Sequence, residues 1–243
     1  RYWHCPMKYL KRNWRTLRWI WRKRWRRRPK PWKHKMPHWN ISAERPDPDS
    51  IHAVAQVIRK GGIVVFPTST LYGLGADANN PRAVASIFDI KGRQSHRPLL
   101  ILIKDKTCLP ELVREIPSKA VLLMEAFWPG GITLVFHAGK QISKRLTGNT
   151  GKIGVRVPKH PVAAAIVAQL ERPMTGTSAN LSGRGGCSDI SCLEKQVSAQ
   201  LDGVVDAGPL KGGRGSTVID VTIDPPQIIR EGTISEDQIL SVL

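Results

Sequence analysis

Apolar and polar residues alternate in blocks along residues 41–243, and the blocks have two different periods. Short, wholly apolar runs such as Ile63–Phe66 are typical of strands buried on both faces. Between them, apolar residues follow helical spacing, as Ile51, Val54 and Ile58 do. This alternation, with no internal repeat, predicts an α/β fold with a single twisted sheet of mixed parallel and antiparallel strands and flanking helices. The predicted strands are 63–66, 99–103, 132–136, 154–157, 173–177, 204–206, 216–221 and 227–229.

Capping residues, glycine and proline predict where the helices begin and end. Ser50 is expected to cap the first helix, which Gly61 ends, and Asn80 is expected to open the second. Ser191 and Glu194 have the S-x-x-E spacing of a capping box, which predicts another helix after them. The remaining helices are predicted over 118–127 and 161–170 and after Ser235, which is three residues before Gln238.

Positive charge is concentrated in the first 40 residues. The whole chain has 38 Lys and Arg against 19 Asp and Glu, a net charge of +19. Residues 1–40 hold 15 of these cations and no acidic residue, so the remaining 203 residues carry only +4. Seven of the eight tryptophans lie in the same stretch. The basic, Trp-rich composition therefore describes an N-terminal extension, and the composition that remains is that of an ordinary α/β domain.

Three interpretations of this extension stay open. The spacing of Leu10, Trp14, Leu17 and Trp21 is compatible with a basic amphipathic helix that binds RNA or an anionic membrane. The segment is equally compatible with a disordered, solvated tail. Arg and Trp codons can differ by one base, so it could also be translated from DNA upstream of a true start, in which case Met36 would be the natural first residue.

Composition excludes two classes of protein. The apolar runs are strand-sized, far below the roughly 18 residues that span a bilayer, so we expect no membrane-spanning segment. The four cysteines form no C-x-x-C pair, which argues against a disulfide scaffold or a zinc site of usual spacing. Sparse, isolated thiols are typical of the reducing cytoplasm, where we expect this protein to be located.

Four segments carry the residue types of an anion-binding site. Each follows or enters a predicted strand or ends a helix, and each combines glycine with hydroxyl or cationic side chains. Any one of them is also an ordinary turn or helix end, and none is a Walker A loop. The four segments are Pro67–Gly75, Lys91–Arg93, Thr175–Gly183 and Gly212–Asp220.

Taken in order along the chain, these segments resemble the YrdC-like family of threonylcarbamoyl-AMP synthases. The resemblance covers about residues 46–235 and implies a YrdC/RibB-like catalytic domain with an open cleft on one side, followed by a C-terminal helix over 236–243. The matching motifs are the P-T-x-T-x-Y-G-L-G turn at 67–75, K-x-R at 91–93, W-P-G-G-I-T at 128–133, G-V-R-V-P at 154–158, T-S-A-N at 177–180, S-T-V-I-D at 216–220 and R-E-G at 230–232.

The resemblance implies that L-threonine, bicarbonate and ATP, with Mg²⁺, are joined into threonylcarbamoyl-AMP with release of pyrophosphate. This is a nucleotidyltransferase reaction, and partner proteins would use the product to modify tRNA with threonylcarbamoyladenosine. The alternative is a module of the same fold that binds double-stranded RNA or tRNA without this activity. Binding of that kind would be generic and strongly salt-dependent.

The resemblance also assigns roles to single residues. Lys91, Arg93, Ser178 and Asn180 form the family's Lys-x-Arg and Ser-x-Asn tetrad and are the expected catalytic residues. Two positions depart from longer members: Leu102 stands where some have a threonine-binding histidine, and Lys152 stands where some have threonine. With one residue after Val242, we expect the short, single-domain form of the family. Threonine is expected on Thr68, Arg156 and Ser178, ATP is expected on Lys91, Arg93, Ser178, Asn180, Ser216 and Arg230, and no metal ligand is assigned.

Overall fold

The computed structural model describes residues 36–243 as one ten-stranded sheet with helices against it. The fold class expected from the sequence is confirmed. In chain order the strands are β1 (His38–Asn40), β2 (Val64–Phe66), β3 (Gly73–Gly75), β4 (Leu100–Leu102), β5 (Ile132–His137), β6 (Lys152–Arg156), β7 (Met174–Ser178), β8 (Gly203–Asp206), β9 (Thr217–Asp220) and β10 (Gln227–Arg230).

Six α-helices accompany this sheet in the part of the chain that the structure describes. They are α1 (Pro48–Arg59), α2 (Pro81–Lys91), α3 (Ser118–Phe127), α4 (Pro161–Leu170), α5 (Lys195–Ser198) and α6 (Glu236–Leu240). Two short 3₁₀ helices, Lys106–Glu111 and Ile190–Cys192, lie in connecting segments. Three of the α-helices begin with proline in the first turn, where its missing N–H costs nothing.

The strands lie in the order β1-β8-β2-β3-β7-β4-β6-β5-β9-β10. Four neighbouring pairs are parallel, namely β1 with β8, β2 with β8, β4 with β6, and β5 with β9. The other five pairs are antiparallel. Strands β2 and β3 are buried on both faces, and all three residues of β2 are fully buried. This burial explains why β2 reads in the sequence as a continuous apolar run.

The boundary of the N-terminal extension requires a correction. The sequence placed residues 36–40 in the basic extension, but His38–Asn40 forms β1, which pairs in parallel with β8. Backbone bonds flank the pair, with Val204 N donating to Pro37 O at 3.0 Å and Ile41 N to Asp206 O at 2.8 Å. A three-residue strand has too little periodicity to be recognised in a Trp- and Lys-rich context. The predicted amphipathic helix of residues 10–25 lies outside the described residues.

Two predicted helix starts are also corrected. The first helix is capped by Asp47, whose carboxylate accepts from Ser50 N at 2.9 Å, so Ser50 lies inside the helix. The expected Ser191–Glu194 capping box is wrong, because Ser191 lies in a 3₁₀ helix and Glu194 makes no side-chain cap of α5. Glu194 instead accepts from Leu181 N at 3.3 Å. The predicted box of Ser235 and Gln238 is confirmed, and its helix ends at Leu240.

None of the helices described over residues 36–243 combines the length and the apolar character that crossing a bilayer requires.

Candidate active site

One face of the sheet carries a cavity of about 490 Å³, whose floor is built by alternate residues of five neighbouring strands. On β6, Lys152, Gly154 and Arg156 all face the cavity, because side chains two residues apart point to the same side of a strand. Lys152 and Arg156 are four residues apart, or about 13 Å along the strand. The cleft therefore has two ends, which we call the Arg156 end and the Arg93 end after their main cations.

The Arg156 end is built where β6, β5, β9 and β10 run side by side. Thr133 and Arg156 lie opposite each other along β5 and β6, and the register of β9 places Val218 next to Thr133 and Arg230. Arg156 Nε donates to Gly130 O at 2.6 Å. Burial lowers the pKa of the Arg156 guanidinium to about 10, and the neighbouring charge of Arg230 adds to the effect.

Ser216 is held in place at the same end. Its hydroxyl shares a hydrogen bond of 2.8 Å with the hydroxyl of Thr133, and its carbonyl accepts from Arg230 Nη2 at 2.7 Å. Two guanidinium groups and two hydroxyls are thus concentrated around one part of the cavity. Such a group suits a carboxylate or a phosphate, because arginine presents its donors as a planar fork.

The Arg93 end is built from the loop after α2, the end of β7 and the turn after β2. Arg93 Nε donates to Arg97 O at 3.2 Å and Arg93 Nη2 donates to Pro98 O at 2.8 Å, which holds the side chain along the loop. Burial, with a contribution from Arg97, lowers the pKa of Arg93. Ser178 pairs with Gly73 across β7 and β3 at this end.

The turn after β2 brings Thr68 to the same end of the cleft. Thr68 Oγ1 donates to Leu71 O at 2.6 Å, which closes the turn on itself. The fully buried Tyr72 fixes the turn to β8, because its hydroxyl donates to Gly208 O at 2.7 Å and accepts from Ala207 N at 3.0 Å. The motif therefore combines two cavity-lining threonines, Thr68 and Thr70, with a tyrosine that holds the loop in position.

Two glycines form part of the cavity floor between its two ends. A Cβ on Gly176 would lie 2.7 Å from Leu100 Cδ1, and one on Gly154 would lie 3.1 Å from Thr133 Cγ2. Both glycines line the cavity. The side chains of Leu100 and Thr133 occupy the space beside these glycines, so a larger residue at either position would collide with the neighbouring strands.

Lys91 lies behind the cleft wall. It is the last residue of α2 and is 2% exposed. Its ammonium donates to three oxygens at the end of β7 and just after it: Ser178 O at 2.5 Å, Asn180 O at 2.8 Å and Asn180 Oδ1 at 3.2 Å. Burial lowers the pKa of Lys91 to about 7, helped by Arg93 and opposed by Glu194. Lys91 thereby fixes the backbone that carries Ser178 to the cavity.

This geometry agrees with comparisons to known proteins. The Sua5/YciO/YrdC family model, described as "Telomere recombination", matches residues 56–232. The chain belongs to the Sua5/YciO/YrdC family. The matched residues include the whole cleft floor and the segments around Lys91, Asn180 and Ser216.

Curated relatives in this family include two proteins named threonylcarbamoyl-AMP synthase. The Bacillus subtilis protein is 37% identical over 198 residues, which are 81% of this chain and 57% of the relative. The Pyrococcus abyssi protein is 36% identical over 200 residues, which are 82% of this chain and 59% of the relative. The chain thus spans less than two thirds of the length of these two relatives.

Solved structures of the Sua5/YciO/YrdC family superpose on the same region. The structure of P. abyssi Sua5 complexed with L-threonine has a TM-score of 0.81 and 36% identity, and covers 85% of this chain and 60% of its own. Escherichia coli YciO has a TM-score of 0.76 and 29% identity, and covers 82% of this chain and 97% of its own.

In this Sua5/YciO/YrdC domain, the structure brings six of the eight predicted site residues to the cavity wall. Lys91 and Asn180 do not line it, and Asn180, which is 6% exposed, donates through Nδ2 to Leu181 O and Arg184 O. The predicted threonine contacts Thr68 and Arg156 line the same cavity from opposite ends. The residues that line it are Thr68, Arg93, Arg156, Ser178, Ser216 and Arg230.

Thr133, Lys152 and Asp220 also line the cavity, although sequence reasoning assigned none of them a role in the site. Lys152 Nζ donates to Asp220 Oδ2 at 2.7 Å. Burial alone would raise the pKa of Asp220, but hydrogen bonds from Lys152 and Thr222 outweigh it and lower the pKa. The period-2 pattern of β6 was the available signal, because it places Lys152 on the same face as Arg156.

Carboxylates are scarce in the cleft. Among the described side chains that line the cavity, Asp220 is the one carboxylate, and it already binds Lys152. No group of three or more His, Cys, Asp or Glu within residues 36–243 is placed to hold a metal ion. The donor set does not fit a resident metal ion, so a divalent cation would have to enter with its own phosphate ligands.

Proposed function

We propose that this chain is an L-threonylcarbamoyladenylate synthase, a nucleotidyltransferase that forms threonylcarbamoyl-AMP and pyrophosphate from L-threonine, bicarbonate and ATP. The observation that carries the proposal is the cleft with a cationic group at each end and a glycine floor between them. Two anionic ligands that must react with each other require such an arrangement. The relatives named threonylcarbamoyl-AMP synthase and the threonine complex of P. abyssi Sua5 support the choice of substrates.

The reaction requires positioning more than it requires a protein nucleophile. Bicarbonate loses water to give CO₂, and the neutral amine of threonine adds to its carbon and releases a proton to give a carbamate. A carbamate oxygen then attacks the α-phosphorus of ATP, the bond to the β-phosphate oxygen breaks, and pyrophosphate leaves. The protein supplies orientation and fixed positive charge for the oxygens on which negative charge develops.

The distribution of the predicted ATP contacts suggests how the nucleotide lies. Arg93 and Ser178 belong to one end of the cleft, and Ser216 and Arg230 belong to the other. A nucleotide held by all four residues lies along the floor over Gly154 and Gly176, with its phosphates toward Arg93. In this arrangement Lys91 and Asn180 support the nucleotide by fixing the segment that carries Ser178.

Threonine would be held by the remaining groups of the same cavity. Arg156 is suited to its carboxylate, because a guanidinium that is buried and already oriented by Gly130 O can form a bidentate pair. The backbones of Thr68 and Ser178 belong to the Arg93 end, so their hydroxyls would meet a threonine held by Arg156 where side chains from both ends extend into the space between them. Ser178 can contact both ligands, since it lies at the Arg93 end and lines the space between them.

Mg²⁺ is proposed to arrive as part of the ATP substrate, coordinated mainly by its phosphates. The single carboxylate among the described side chains of the cleft, Asp220, supports this view over a resident ion. Downstream, partner proteins would transfer the threonylcarbamoyl group to tRNA, and the protein would act in the cytoplasm, where ATP and tRNA are present.

A pyrophosphate-release assay tests the proposal. The purified protein is incubated with ATP and Mg²⁺ together with L-threonine, L-serine or no amino acid, each with and without bicarbonate. We expect release of pyrophosphate only when both threonine and bicarbonate are present, with serine giving a lower rate. The matched control is Lys119→Met, since Lys119 lies on α3 outside the cavity and pairs with Asp224.

The alternative of an RNA-binding module makes the opposite prediction. If the protein binds double-stranded RNA tightly at physiological salt but releases no pyrophosphate under any of these conditions, the proposed enzymatic activity is refuted. Release that does not depend on threonine would instead show ATP hydrolysis and would refute the assignment of the amino-acid substrate.

A further inference from the structure

Lys152 and Asp220 form an ion pair inside the cleft whose two members are held differently. The Asp220 carboxylate also accepts from Thr222 N at 2.9 Å and from Thr222 Oγ1 at 2.6 Å, and its side chain is 11% exposed. The Lys152 side chain is 31% exposed. The carboxylate is therefore fixed by its own strand end, and the lysine is the member of the pair that can move.

The Lys152 ammonium has unused hydrogen-bonding capacity. It carries three N–H donors, and the described chain provides one acceptor for it, Asp220 Oδ2 at 2.7 Å. Because the side chain lines the cavity, its remaining donors are available to a ligand there. A flexible four-carbon chain lets the ammonium reach such a ligand without movement of β6.

The strand register places Lys152 at the Arg93 end. β4 and β6 are parallel with Ile101 beside Val155, so the start of β6 lies at the same end of the cleft as Pro98, two residues before β4. Pro98 O accepts from Arg93 Nη2 at 2.8 Å. The backbone of Lys152 and the Arg93–Pro98 contact thus lie at the same end of the cavity, and the Lys152 ammonium extends from there to Asp220 on β9.

The charge balance of the cleft favours a polyanion at this point. Four cations line the cavity, Arg93, Lys152, Arg156 and Arg230, against the single carboxylate of Asp220 among the lining side chains described. A diphosphate group carries more negative charge than one carboxylate and offers more acceptor oxygens. A bound diphosphate would therefore compete with Asp220 for the ammonium.

We propose that Lys152 is an additional polyphosphate-binding side chain, which exchanges Asp220 for the terminal phosphates of ATP or for free pyrophosphate. The identity of the nucleotide rests on the proposed function, whereas the diphosphate chemistry rests on the cleft itself. Asp220 holds the ammonium in the empty cleft and receives it again when the polyphosphate leaves.

Binding of inorganic pyrophosphate to the full-length protein, measured by isothermal titration calorimetry at two salt concentrations, tests this role. We expect Lys152→Met to weaken binding by about tenfold and to reduce its salt dependence, because one charge-assisted contact is lost. Lys152→Arg keeps the charge, and its affinity for pyrophosphate should stay within about threefold of the wild-type affinity. Lys119→Met is the matched control, since it removes a lysine from a surface ion pair with Asp224, and it should leave the affinity unchanged.

Two further measurements distinguish polyphosphate binding by Lys152 from a contact with threonine and from an effect of the Asp220 charge alone. L-Threonine binding should be the same in Lys152→Met and wild type, and a parallel loss of threonine affinity would show that the lysine contacts the amino acid instead. Asp220→Asn should tighten pyrophosphate binding, and most of the gain should disappear in the double variant with Lys152→Met. If Asp220→Asn raises pyrophosphate affinity equally in the wild-type and Lys152→Met backgrounds, the gain comes from removal of the carboxylate alone. That result would overturn the exchange.

The outcome of these binding measurements is independent of turnover. Unchanged pyrophosphate affinity in a folded Lys152→Met protein overturns the role of the lysine even if wild type makes threonylcarbamoyl-AMP. Loss of affinity in that variant supports the role even if wild type releases no pyrophosphate from ATP, in which case only the proposed function fails.

Discussion

At the scale of single residues, Lys91 differs most from what the sequence suggested. A lysine at a helix end beside an arginine predicted direct contact with phosphates, but its ammonium instead donates to carbonyl and amide oxygens of Ser178 and Asn180. Sequence could identify the residue as part of the site. It could not show the direction of the side chain, because that depends on how α2 packs against the end of β7.

Substitution of Lys91 tests the consequence of its burial. Burial lowers its pKa from 10.5 to about 7, so in the pH range between these two values the unfolded chain binds more protons than the folded one. The free energy of unfolding contributed by this group therefore rises with pH in that window. We therefore compare the free energies of unfolding of wild type and Lys91→Met by urea denaturation at pH 7 and pH 9. We expect the wild-type value to rise relative to that of the variant by on the order of 1–2 kcal/mol over this range.

The same variant should lose turnover by a factor on the order of 10², because the segment that positions Ser178 loses its anchor. A stability difference that is identical at pH 7 and pH 9 would contradict the shifted pKa. Normal turnover would show that Lys91 does not position the site.

Arg156 carries a second prediction at the residue scale. Its guanidinium is oriented by Gly130 O and is expected to bind the threonine carboxylate in a bidentate manner. Arg156→Lys keeps the charge but loses the planar pair of donors that binds a carboxylate. We therefore expect KM for threonine to rise by about 10-fold or more and KM for ATP to change less. Steady-state pyrophosphate release with each substrate varied in turn measures both constants.

Arg172→Lys provides the control, since Arg172 makes its ion pair with Asp77 outside the cavity. If KM for ATP rises in Arg156→Lys while KM for threonine stays constant, Arg156 belongs to the nucleotide side.

At the scale of elements, β1 shows how a short strand depends on its partner. Its three residues contain no apolar run, yet Trp39 packs over Gly203 of β8, where an added Cβ would lie 2.5 Å from Trp39 Cζ3. Pairing with β8 and this contact specify the strand, and neither is encoded within residues 38–40 themselves. Longer elements such as β2 and α1 were predictable because their own apolar periodicity determines which face is buried.

Trp39→Ala tests the contribution of this edge strand. The side chain is half-buried against β8, so its removal should lower the free energy of unfolding by about 1–3 kcal/mol, less than for a fully buried tryptophan. Asn40→Ala changes an exposed residue of the same strand and should stay within about 0.5 kcal/mol of wild type. Equal effects of the two substitutions in urea denaturation would show that Trp39 contributes no packing.

At the scale of the whole molecule, the charge of +19 divides between two parts of the chain. All 15 cations of the extension precede Met36, so residues 36–243 carry +4. A long-range field from 15 charges attracts any polyanion, whereas the cleft uses a few placed cations. Generic RNA affinity and turnover should therefore separate when the extension is removed.

A variant that begins at Met36 tests this separation. We expect the slope of log affinity for double-stranded RNA against log salt concentration to become less steep, because fewer phosphates are neutralised. The rate of pyrophosphate release should stay within about twofold of the full chain, since the cleft residues are all retained. Loss of activity would show that residues 1–35 take part in the function and would exclude an origin upstream of the true start.

The sequence by itself determined the α/β class, most central strands, the family and six of the polar residues that line the cleft. These properties follow from local periodicity and from motifs whose spacing is fixed along the chain. Tertiary structure alone decided that Thr68 and Arg156 lie at opposite ends of one cavity, that Lys91 lies behind its wall, and that Lys152 meets Asp220. Each of these facts depends on register between strands that are distant in sequence, and such register is set by the packing of the whole sheet.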